Sequence, residues 1–362
     1  MLIDIIAGAR PNFVKIAPIV RALKARAAEG GPLRHRLVHT GQHYDARMSG
    51  VFFEQLGIDS PDVNLEVGSG THAEQTAGIM TKYEALLMKK PCHLTLVVGD
   101  VTSTMACAIT AQKLHIPVAH VEAGIRSGDW TMPEEINRLV TDAVTNWFFT
   151  TSDHANETLR TAGVGDDRVF FVGNTMIDTL MHNMDRLTQP EFFAKKGLKP
   201  GEYLVATLHR PSNVDASREL ADKLGAIAKG ARGLPVVFPV HPRTAKALGE
   251  IGVPDNIVPV DPQPYLEFNW LVKNCRAVVT DSGGITEEAT VMGIPCMTLR
   301  TSTERPETVE IGTNELIGND LDALARSFDR LFDGRWKTGK IPEKWDGQTA
   351  PRIVAALEKL LA

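Results

Sequence analysis

The amino-acid sequence predicts an α/β protein made of two Rossmann-like domains, each a doubly wound parallel sheet. Short apolar runs rich in β-branched residues alternate with stretches of helical periodicity, which is typical of parallel strands whose two faces are covered by helices. The chain of 362 residues is also longer than most single domains. In addition, the strand–helix pattern starts again in the second half of the sequence.

The first predicted domain covers residues 1–172. Its first apolar run, LIDIIAG (2–8), ends in glycine and predicts a buried strand, and residues 13–29 then have helical spacing. In chain order, the predicted strands of this domain are 2–8, 36–40, 94–100, 117–124, 146–152 and 168–174, with a helix of small residues at 103–114.

The second predicted domain covers residues 173–349. Its strands follow the stretch 188–201, whose Pro and Gly residues indicate a connector. The predicted strands are 202–209, 235–241, 256–261, 276–282 and 295–299, with helices that include 216–231 and 284–293. A last helix, at about 350–361, has no strand after it.

The composition argues against nucleic-acid and membrane partners. The net charge is −5 and the sequence pI is about 6.1, whereas nucleic-acid binders usually carry a basic patch. No apolar stretch approaches the roughly 20 residues that span a bilayer. Asp4 interrupts the N-terminal apolar run, which therefore does not resemble a signal peptide. We expect a cytoplasmic protein.

The sequence also predicts chemistry without a cofactor or a metal. Neither half has a GxGxxG motif after its first strand, which argues against a bound nicotinamide. The cysteines form no CxxC pair and lie beside no histidine at ligand spacing, so we interpret them as core residues in a reducing compartment. They are Cys92, Cys107, Cys275 and Cys296.

Polar residues at the strand ends of the first half suggest a ligand site. Arg10 and Lys15 follow the first strand and suit a phosphate or a developing anion, although a solvated turn would also explain them. Asp100 and Glu122 come directly after two other strands, at the edge where open α/β sheets bind ligands. Asp100 could alternatively cap the next helix.

A further helix is predicted to begin at Pro133. Glu134 in its first turn could simply stabilise the helix through the helix dipole. That role does not explain the Asn-Arg pair that ends in Arg138. We therefore count Glu134 and Arg138 among the candidate site residues. The predicted core-facing stripe of this helix consists of Ile136, Leu139, Val140, Ala143 and Val144.

In the second half, two strands end in histidine, at His209 and His241, and each histidine is followed within two residues by an arginine, the second being Arg243. This repetition favours a ligand site over two structural histidines. The strongest motif is the turn Ser282–Gly284, where a helix begins with free backbone N–H groups that suit a diphosphate. Glu288, one turn further, could accept hydrogen bonds from ribose hydroxyls. An ordinary glycine-rich turn is the alternative.

Taken together, these stretches resemble the non-hydrolysing UDP-N-acetylglucosamine 2-epimerases. The resemblance rests on eleven motifs that occur in family order. They are GARPNFVKIAPI (8–19), HTGQHYD (39–45), GTHAEQT (70–76), VVGDVTST (97–104), HVEAGIRSGDWTMPEEINR (120–138), VGNTMID (172–178), LHRPSN (208–213), PVHPRT (239–244), DPQPYLEF (261–268), TDSGGITEEA (280–289) and TERPET (303–308).

The resemblance implies a glycosyltransferase-B-like fold with the active site in the interdomain cleft, commonly a homodimer, whose last helix packs back on the first domain. It assigns catalysis to Asp100, Glu122, Glu134 and His209. It assigns binding of the UDP-sugar substrate to Arg10, Lys15, Arg138, His241, Arg243, Ser282, Gly283, Gly284, Glu288, Arg305 and a uracil pocket at 262–268 that includes Pro262, Tyr265 and Phe268. The implied reaction is elimination of UDP to 2-acetamidoglucal followed by re-addition.

The sequence departs from the usual family pattern at Asn12, where many members have Glu, and at Pro211, where many have Arg. The motifs GQHYD and GTHAEQT resemble a branch that includes epimerases of 2,3-diacetamido uronic acid nucleotides, whereas TERPE resembles the plain N-acetyl enzymes. The alternatives are therefore a 2-epimerase of a UDP-2,3-diacetamido sugar and a glycosyltransferase of the same fold. A hydrolysing epimerase and a non-enzymatic UDP-sugar sensor are more distant alternatives.

Overall fold

The computed structural model of the chain describes residues 1–41, 53–210, 217–240, 242–249 and 251–362. The chain divides into two compact units. Unit 1 contains Met1–His182 and Glu343–Ala362, and unit 2 contains Asn183–Pro342. The sequence analysis placed the corresponding boundaries at 172/173 and 349/350, and the predicted connector 188–201 lies within unit 2.

Unit 1 is built on a parallel sheet. Its strands are β1 Leu2–Ala7, β2 Arg34–His39, β3 Val63–Asn64, β4 Leu94–Val98, β5 Val118–Val121, β6 Trp147–Thr150 and β7 Val169–Phe171. Among the described residues the sheet order is β3-β2-β1-β4-β5-β6-β7, with every pairing parallel. The order reverses between β1 and β4, so the carboxyl ends of these two strands form the switch point where such sheets bind ligands.

The central strands β1, β4 and β5 are buried and largely apolar; every residue of β4, for example, is buried. The charged exception in β1 is Asp4, which accepts two hydrogen bonds from Arg36 on β2, at 2.8 and 2.7 Å. The covering helices are α1 Arg10–Ala28, α2 His72–Lys89, α3 Thr102–Lys113, α4 Pro133–Ala143, α5 Asp153–Thr161 and α6 Thr175–Asn183.

Unit 2 repeats this plan. Its strands are β8 Leu204–Thr207, β9 Val236–Pro239, β10 Ile257–Val260, β11 Ala277–Thr280, β12 Cys296–Thr298 and β13 Asn314–Leu316. In the described part of the chain they form a parallel sheet of order β10-β9-β8-β11-β12-β13. Its switch point lies between the carboxyl ends of β8 and β11.

The helices of unit 2 cover both faces of its sheet. They are α7 Glu191–Lys195, α8 Ser217–Gly230, α9 Pro242–Leu248, α10 Tyr265–Asn274, α11 Gly283–Met292, α12 Pro306–Glu310 and α13 Leu321–Phe332. Alternate residues of β8 enter different cores: Leu204 and Ala206 pack on one face with Phe328, whereas Val205 packs on the other face with Leu271. Both faces of a central strand are therefore apolar, as the sequence predicted.

Two anchors explain why unit 1 extends further than predicted. The fully buried Thr179 of α6 donates a hydrogen bond to the carbonyl of Val14 in α1 at 2.6 Å, so α6 belongs to unit 1. At the other end, the fully buried Trp345 donates its indole N–H to the carbonyl of Thr151 at 3.1 Å. The last helix, α14 Thr349–Leu360, follows this anchor and belongs to unit 1.

The predicted apolar stripe of α4 is wrong. Ile136 is 45% exposed, Ala143 is also exposed, and Leu139, Val140 and Val144 are only partly buried. The face of α4 that is buried is polar, and it consists of Glu135, Asn137, Arg138, Thr141 and Asp142. The helix packs this face against the polar strand ends of the sheet, where hydrogen bonds and ion pairs, described below, replace apolar contacts.

No helix in the described ranges has both the length and the apolar character needed to cross a bilayer.

Candidate active site

Asn12 joins the two loops at the switch point of unit 1. Its side-chain Oδ1 accepts the backbone N–H groups of Gly8 and Ala9, at 3.2 and 3.0 Å, just after β1. Its Nδ2 donates to the carbonyl of Val98, the last residue of β4, at 3.0 Å. A glutamate here could accept but not donate, so the amide found in this sequence suits this link.

Lys15 and Glu122 form a buried ion pair beside the same loops. Lys15 Nζ lies 2.6 Å from Glu122 Oε2, and the two side chains are 13% and 2% exposed. Glu122 has a φ of +68°, and this left-handed conformation costs a residue other than glycine about 1–2 kcal/mol. Such strain is found preferentially at functional sites. A Cβ on Gly99 would lie 3.2 Å from Lys15 Nζ, so the turn after β4 approaches the pair closely.

Asp100 is held by α4. Arg138 Nη2 lies 2.5 Å from Asp100 Oδ2, and Asn137 Nδ2 donates to the Asp100 carbonyl at 2.8 Å. Arg138 Nη1 also donates to Glu135 Oε2 at 2.7 Å. Arg138, predicted to contact substrate, therefore lies between two carboxylates and orients one of the predicted catalytic groups.

The neighbouring residues Glu134 and Glu135 have different environments. Glu134 is exposed, whereas Glu135 is buried and accepts the backbone N–H groups of Ser127 and Gly128 at 2.9 and 3.0 Å. Burial alone would raise the pKa of Glu135, but these bonds and the contact with Arg138 outweigh it and lower the pKa. Glu135 thus shapes the loop between β5 and α4. The sequence analysis gave it no such role.

His209 is oriented by a buried carboxylate at the switch point of unit 2. Its Nδ1 lies 2.7 Å from Oδ1 of Asp281, and Asp281 Oδ2 accepts the backbone N–H groups of His209 and Arg210 at 3.0 and 2.9 Å. Asp281 is fully buried, whereas the His209 side chain is 45% exposed. The sequence analysis singled out His209 but not Asp281, although Asp281 directly precedes the Ser282–Gly284 turn.

That turn begins α11. Ser282 occupies the N-cap position and Gly283 the first helical position, so the first backbone N–H groups of α11 have no partner within the helix. Such a helix start favours an anion. The turn is only partly buried, which is compatible with binding from solvent.

An arginine that the sequence analysis missed lies beside this turn. Arg300 makes two hydrogen bonds to Glu304, at 2.6 and 2.7 Å. A Cβ on Gly283 would lie 3.9 Å from Arg300 Nη1. Glu304 Oε2 would lie 3.8 Å from the same Cβ, and Arg210 Nη2 approaches Glu304 at 3.9 Å, so two guanidinium groups and a carboxylate that lies near both of them are found beside the turn. The only sequence signal for Arg300 was its position after a buried strand.

Arg305, which the resemblance assigned to the phosphates or the sugar, is buried and paired with Glu287 of α11. Glu288, the predicted ribose ligand, is also buried and accepts a hydrogen bond from Asn269 Nδ2 at 3.3 Å. Burial raises the pKa of Glu288 to about 7, although the Tyr265 hydroxyl and the Asn269 amide oppose the shift. Tyr265 therefore lies beside Glu288.

The remaining predicted binding residues have mixed positions. Phe268 packs on the core of unit 2, and Pro262 is exposed. Three others lie outside what the structure describes: His241 entirely, and the side chains of Arg10 and Arg243. Within the described ranges, no cluster of three or more His, Cys, Asp or Glu residues has the arrangement of a metal site.

Comparison with known proteins agrees with the resemblance found in the sequence motifs. A family model described as UDP-N-acetylglucosamine 2-epimerase matches residues 25–358. A relative from Methanocaldococcus jannaschii named UDP-N-acetylglucosamine 2-epimerase is 37% identical, with 99% of each chain covered. A relative from Pseudomonas aeruginosa named UDP-2,3-diacetamido-2,3-dideoxy-D-glucuronate 2-epimerase is 38% identical over 99% of this chain and 100% of its own.

Solved structures confirm the predicted fold class. The M. jannaschii UDP-GlcNAc 2-epimerase in complex with UDP-GlcNAc and UDP has a TM-score of 0.87 at 36% identity, covering 99% of this chain and 100% of that one. A glycosyltransferase from Streptomyces nogalater has a TM-score of 0.53 at 14% identity, covering 98% of this chain and 100% of its own, and so shares the fold alone. The predicted pair of parallel-sheet domains of glycosyltransferase-B type is therefore confirmed.

Proposed function

This chain belongs to the UDP-N-acetylglucosamine 2-epimerase family, and we propose that it interconverts UDP-N-acetylglucosamine and UDP-N-acetylmannosamine. One observation supports this proposal above the others: the two switch points carry complementary chemistry. That of unit 1 holds the carboxylates Asp100 and Glu122, each paired with a cation. That of unit 2 holds the helix start at Ser282 with the guanidinium groups of Arg210 and Arg300 nearby.

The reaction needs both kinds of group. A base removes the proton from carbon 2, the released electron pair makes the bond between carbons 1 and 2 a double bond, as in 2-acetamidoglucal, and the bond from carbon 1 to the diphosphate oxygen breaks. On return, a proton adds to carbon 2 from the opposite face while a diphosphate oxygen bonds to carbon 1. Anion-binding groups stabilise the departing UDP, and carboxylates transfer the protons.

We assign the proton transfers to Asp100, Glu122 and Glu134. Lys15 and Arg138 hold Glu122 and Asp100 as carboxylates, which is the form that a base requires. Glu134 is exposed and so can exchange protons with solvent.

In unit 2, the start of α11 binds the diphosphate and Glu288 binds the ribose. Arg300 adds positive charge beside the helix start. His209, oriented by Asp281, stabilises the negative charge that develops on the leaving diphosphate. The product serves as a precursor of cell-surface polysaccharide.

The decisive experiment follows UDP-N-acetylglucosamine with the protein in heavy water by NMR. We expect the manno epimer to appear with deuterium at carbon 2. A glycosyltransferase would give no product from this sole substrate, and a hydrolysing epimerase would release UDP in step with turnover. A sensor would leave the anomeric signals unchanged. Each of these three results would refute the proposal.

A second candidate substrate is UDP-2,3-diacetamido-2,3-dideoxy-D-glucuronate. The observation in its favour is that the P. aeruginosa relative named for it is as similar to this chain as the M. jannaschii relative, at 38% and 37% identity. Measuring kcat/KM for both nucleotide sugars separates the candidates. A ratio above about 200 in favour of either one exceeds the discrimination that a single methylene contact usually provides and would identify the substrate.

A further inference from the structure

His120 is a buried histidine of β5 that the reaction scheme above does not use. Its side chain is 1% exposed. Its Nδ1 lies 2.8 Å from Oδ1 of Asp142 in α4, and its Nε2 lies 2.9 Å from the carbonyl oxygen of Gly99. Both ring nitrogens therefore have an oxygen partner at hydrogen-bonding distance.

The partners determine where the protons are. A carbonyl oxygen can only accept, so Nε2 of His120 carries a proton. Asp142 Oδ2 accepts the backbone N–H of Gly124 at 3.2 Å and pairs with Arg126 Nη2 at 2.7 Å. Burial alone would raise the pKa of Asp142, but His120 and Arg126 lower it, so Asp142 is a carboxylate and only accepts. Nε2 of His120 therefore donates to the turn after β4, while Nδ1 faces Asp142.

The carbonyl that His120 binds belongs to the turn that carries Asp100. On the other side of this turn, the Asp100 carbonyl accepts from Asn137 at 2.8 Å. A Cβ on Gly99 would lie 3.8 Å from Glu122 Oε2. A rotation of the Gly99–Asp100 peptide would therefore displace the Asp100 carboxylate relative to Glu122.

We propose that His120 is a positioning residue whose hydrogen bond to the Gly99 carbonyl fixes the Gly99–Asp100 turn and thereby the separation of the Asp100 and Glu122 carboxylates. The inference rests on the proposed epimerase function. A displacement of about 1 Å at a reacting group can lower a rate by about 100-fold. The bond to Gly99, and not the contact with Asp142, is the one on which the rate depends.

Two nearly isosteric variants separate these contacts. In His120→Gln, the side-chain amide reaches the position of Nε2 and still donates to the Gly99 carbonyl, but it does not reach Asp142. In His120→Asn, the amide takes the position of Nδ1 and donates to Asp142, but it does not reach Gly99. Each variant loses one of the two ring contacts, so their stabilities should fall to a similar extent.

We expect His120→Asn to lower kcat about 10- to 100-fold with KM and the Kd for UDP within twofold, and His120→Gln to keep kcat within about threefold of wild type. Equal losses of kcat in the two variants, or a loss confined to melting temperature, would overturn the positioning role. If the wild-type protein does not epimerise either nucleotide sugar, the proposed function fails instead.

Discussion

The ring Nδ1 of His209 lies 2.7 Å from Oδ1 of Asp281, and the other oxygen of Asp281 accepts the His209 backbone N–H at 3.0 Å. One buried carboxylate therefore fixes both the main chain and the ring of a candidate catalytic residue. It does so at the junction of β8 and β11, whose last residues, Thr207 and Thr280, share a hydrogen bond of 2.6 Å between their hydroxyl groups. The geometry selects the tautomer with a proton on Nδ1.

Asp281→Asn should lower kcat by roughly 10²- to 10⁴-fold, because an amide can donate to Nδ1 and stabilise the wrong tautomer. The asparagine oxygen can still accept the two backbone N–H groups, so the turn and the Kd for UDP should change little. Steady-state kinetics and calorimetric titration with UDP check this expectation. His209→Gln is the matched variant, and combining the two changes should add little further loss. A fully additive double variant would show that the residues act independently.

The sequence predicted the central strands of both sheets well because fully buried parallel strands are continuous apolar runs. It missed β3 and β13, which are sheet edges of two and three residues and leave almost no periodic signal. The buried face of α4 was also predicted wrongly. The spacing of Ile136 and Val140 places them on one side of the helix, but it does not show whether that side faces the core. Asp281 and Arg300 are recognisable only through the partners that the fold brings to them.

Glu122→Gln should lower kcat for epimerisation about 10²- to 10⁴-fold, because the amide cannot remove a proton from carbon 2. The Kd for UDP should remain within a few-fold, since this residue belongs to unit 1 and the Ser282–Gly284 turn, which we propose binds the diphosphate, belongs to unit 2. Deuterium incorporation from heavy water measures the proton transfer directly.

Glu134→Gln tests the second carboxylate in the same assay, and a loss of similar size is expected if this exposed residue transfers the other proton. Glu157→Gln is the control, because Glu157 is a surface residue of α5, 66% exposed and paired with Arg160. Full activity in Glu122→Gln would reject its assignment as an acid-base residue.

Arg300→Gln should weaken UDP binding roughly 10- to 100-fold, the range expected for hydrogen bonds to a charged group. Arg300→Lys keeps the charge but not the two-pronged geometry and should fall between this variant and wild type. Arg305→Gln is the matched change, because each arginine forms a buried ion pair, Arg300 with Glu304 and Arg305 with Glu287. Both changes should destabilise the fold by about 3–5 kcal/mol, but Arg305→Gln should have little effect on the Kd for UDP. If Arg305→Gln weakened UDP binding more than Arg300→Gln, Arg305 and not Arg300 would be the phosphate ligand.

Glu288→Gln should remove a pH dependence from the stability of unit 2. Burial raises the pKa of Glu288 to about 7 from an ordinary 4.5, so the folded state holds this proton more tightly than the unfolded state does. The contribution of this tighter proton binding to the free energy of unfolding is fully present below pH 4.5 and is lost as the pH rises to about 7. The shift corresponds to about 3 kcal/mol at 1.36 kcal/mol per pKa unit. The free energy of unfolding in urea, measured between pH 4.5 and 8, should fall more steeply with pH for wild type than for the variant. Trp270, which packs on a core of unit 2, contributes to the fluorescence signal. Parallel curves would mean that Glu288 is ionised throughout the folded state.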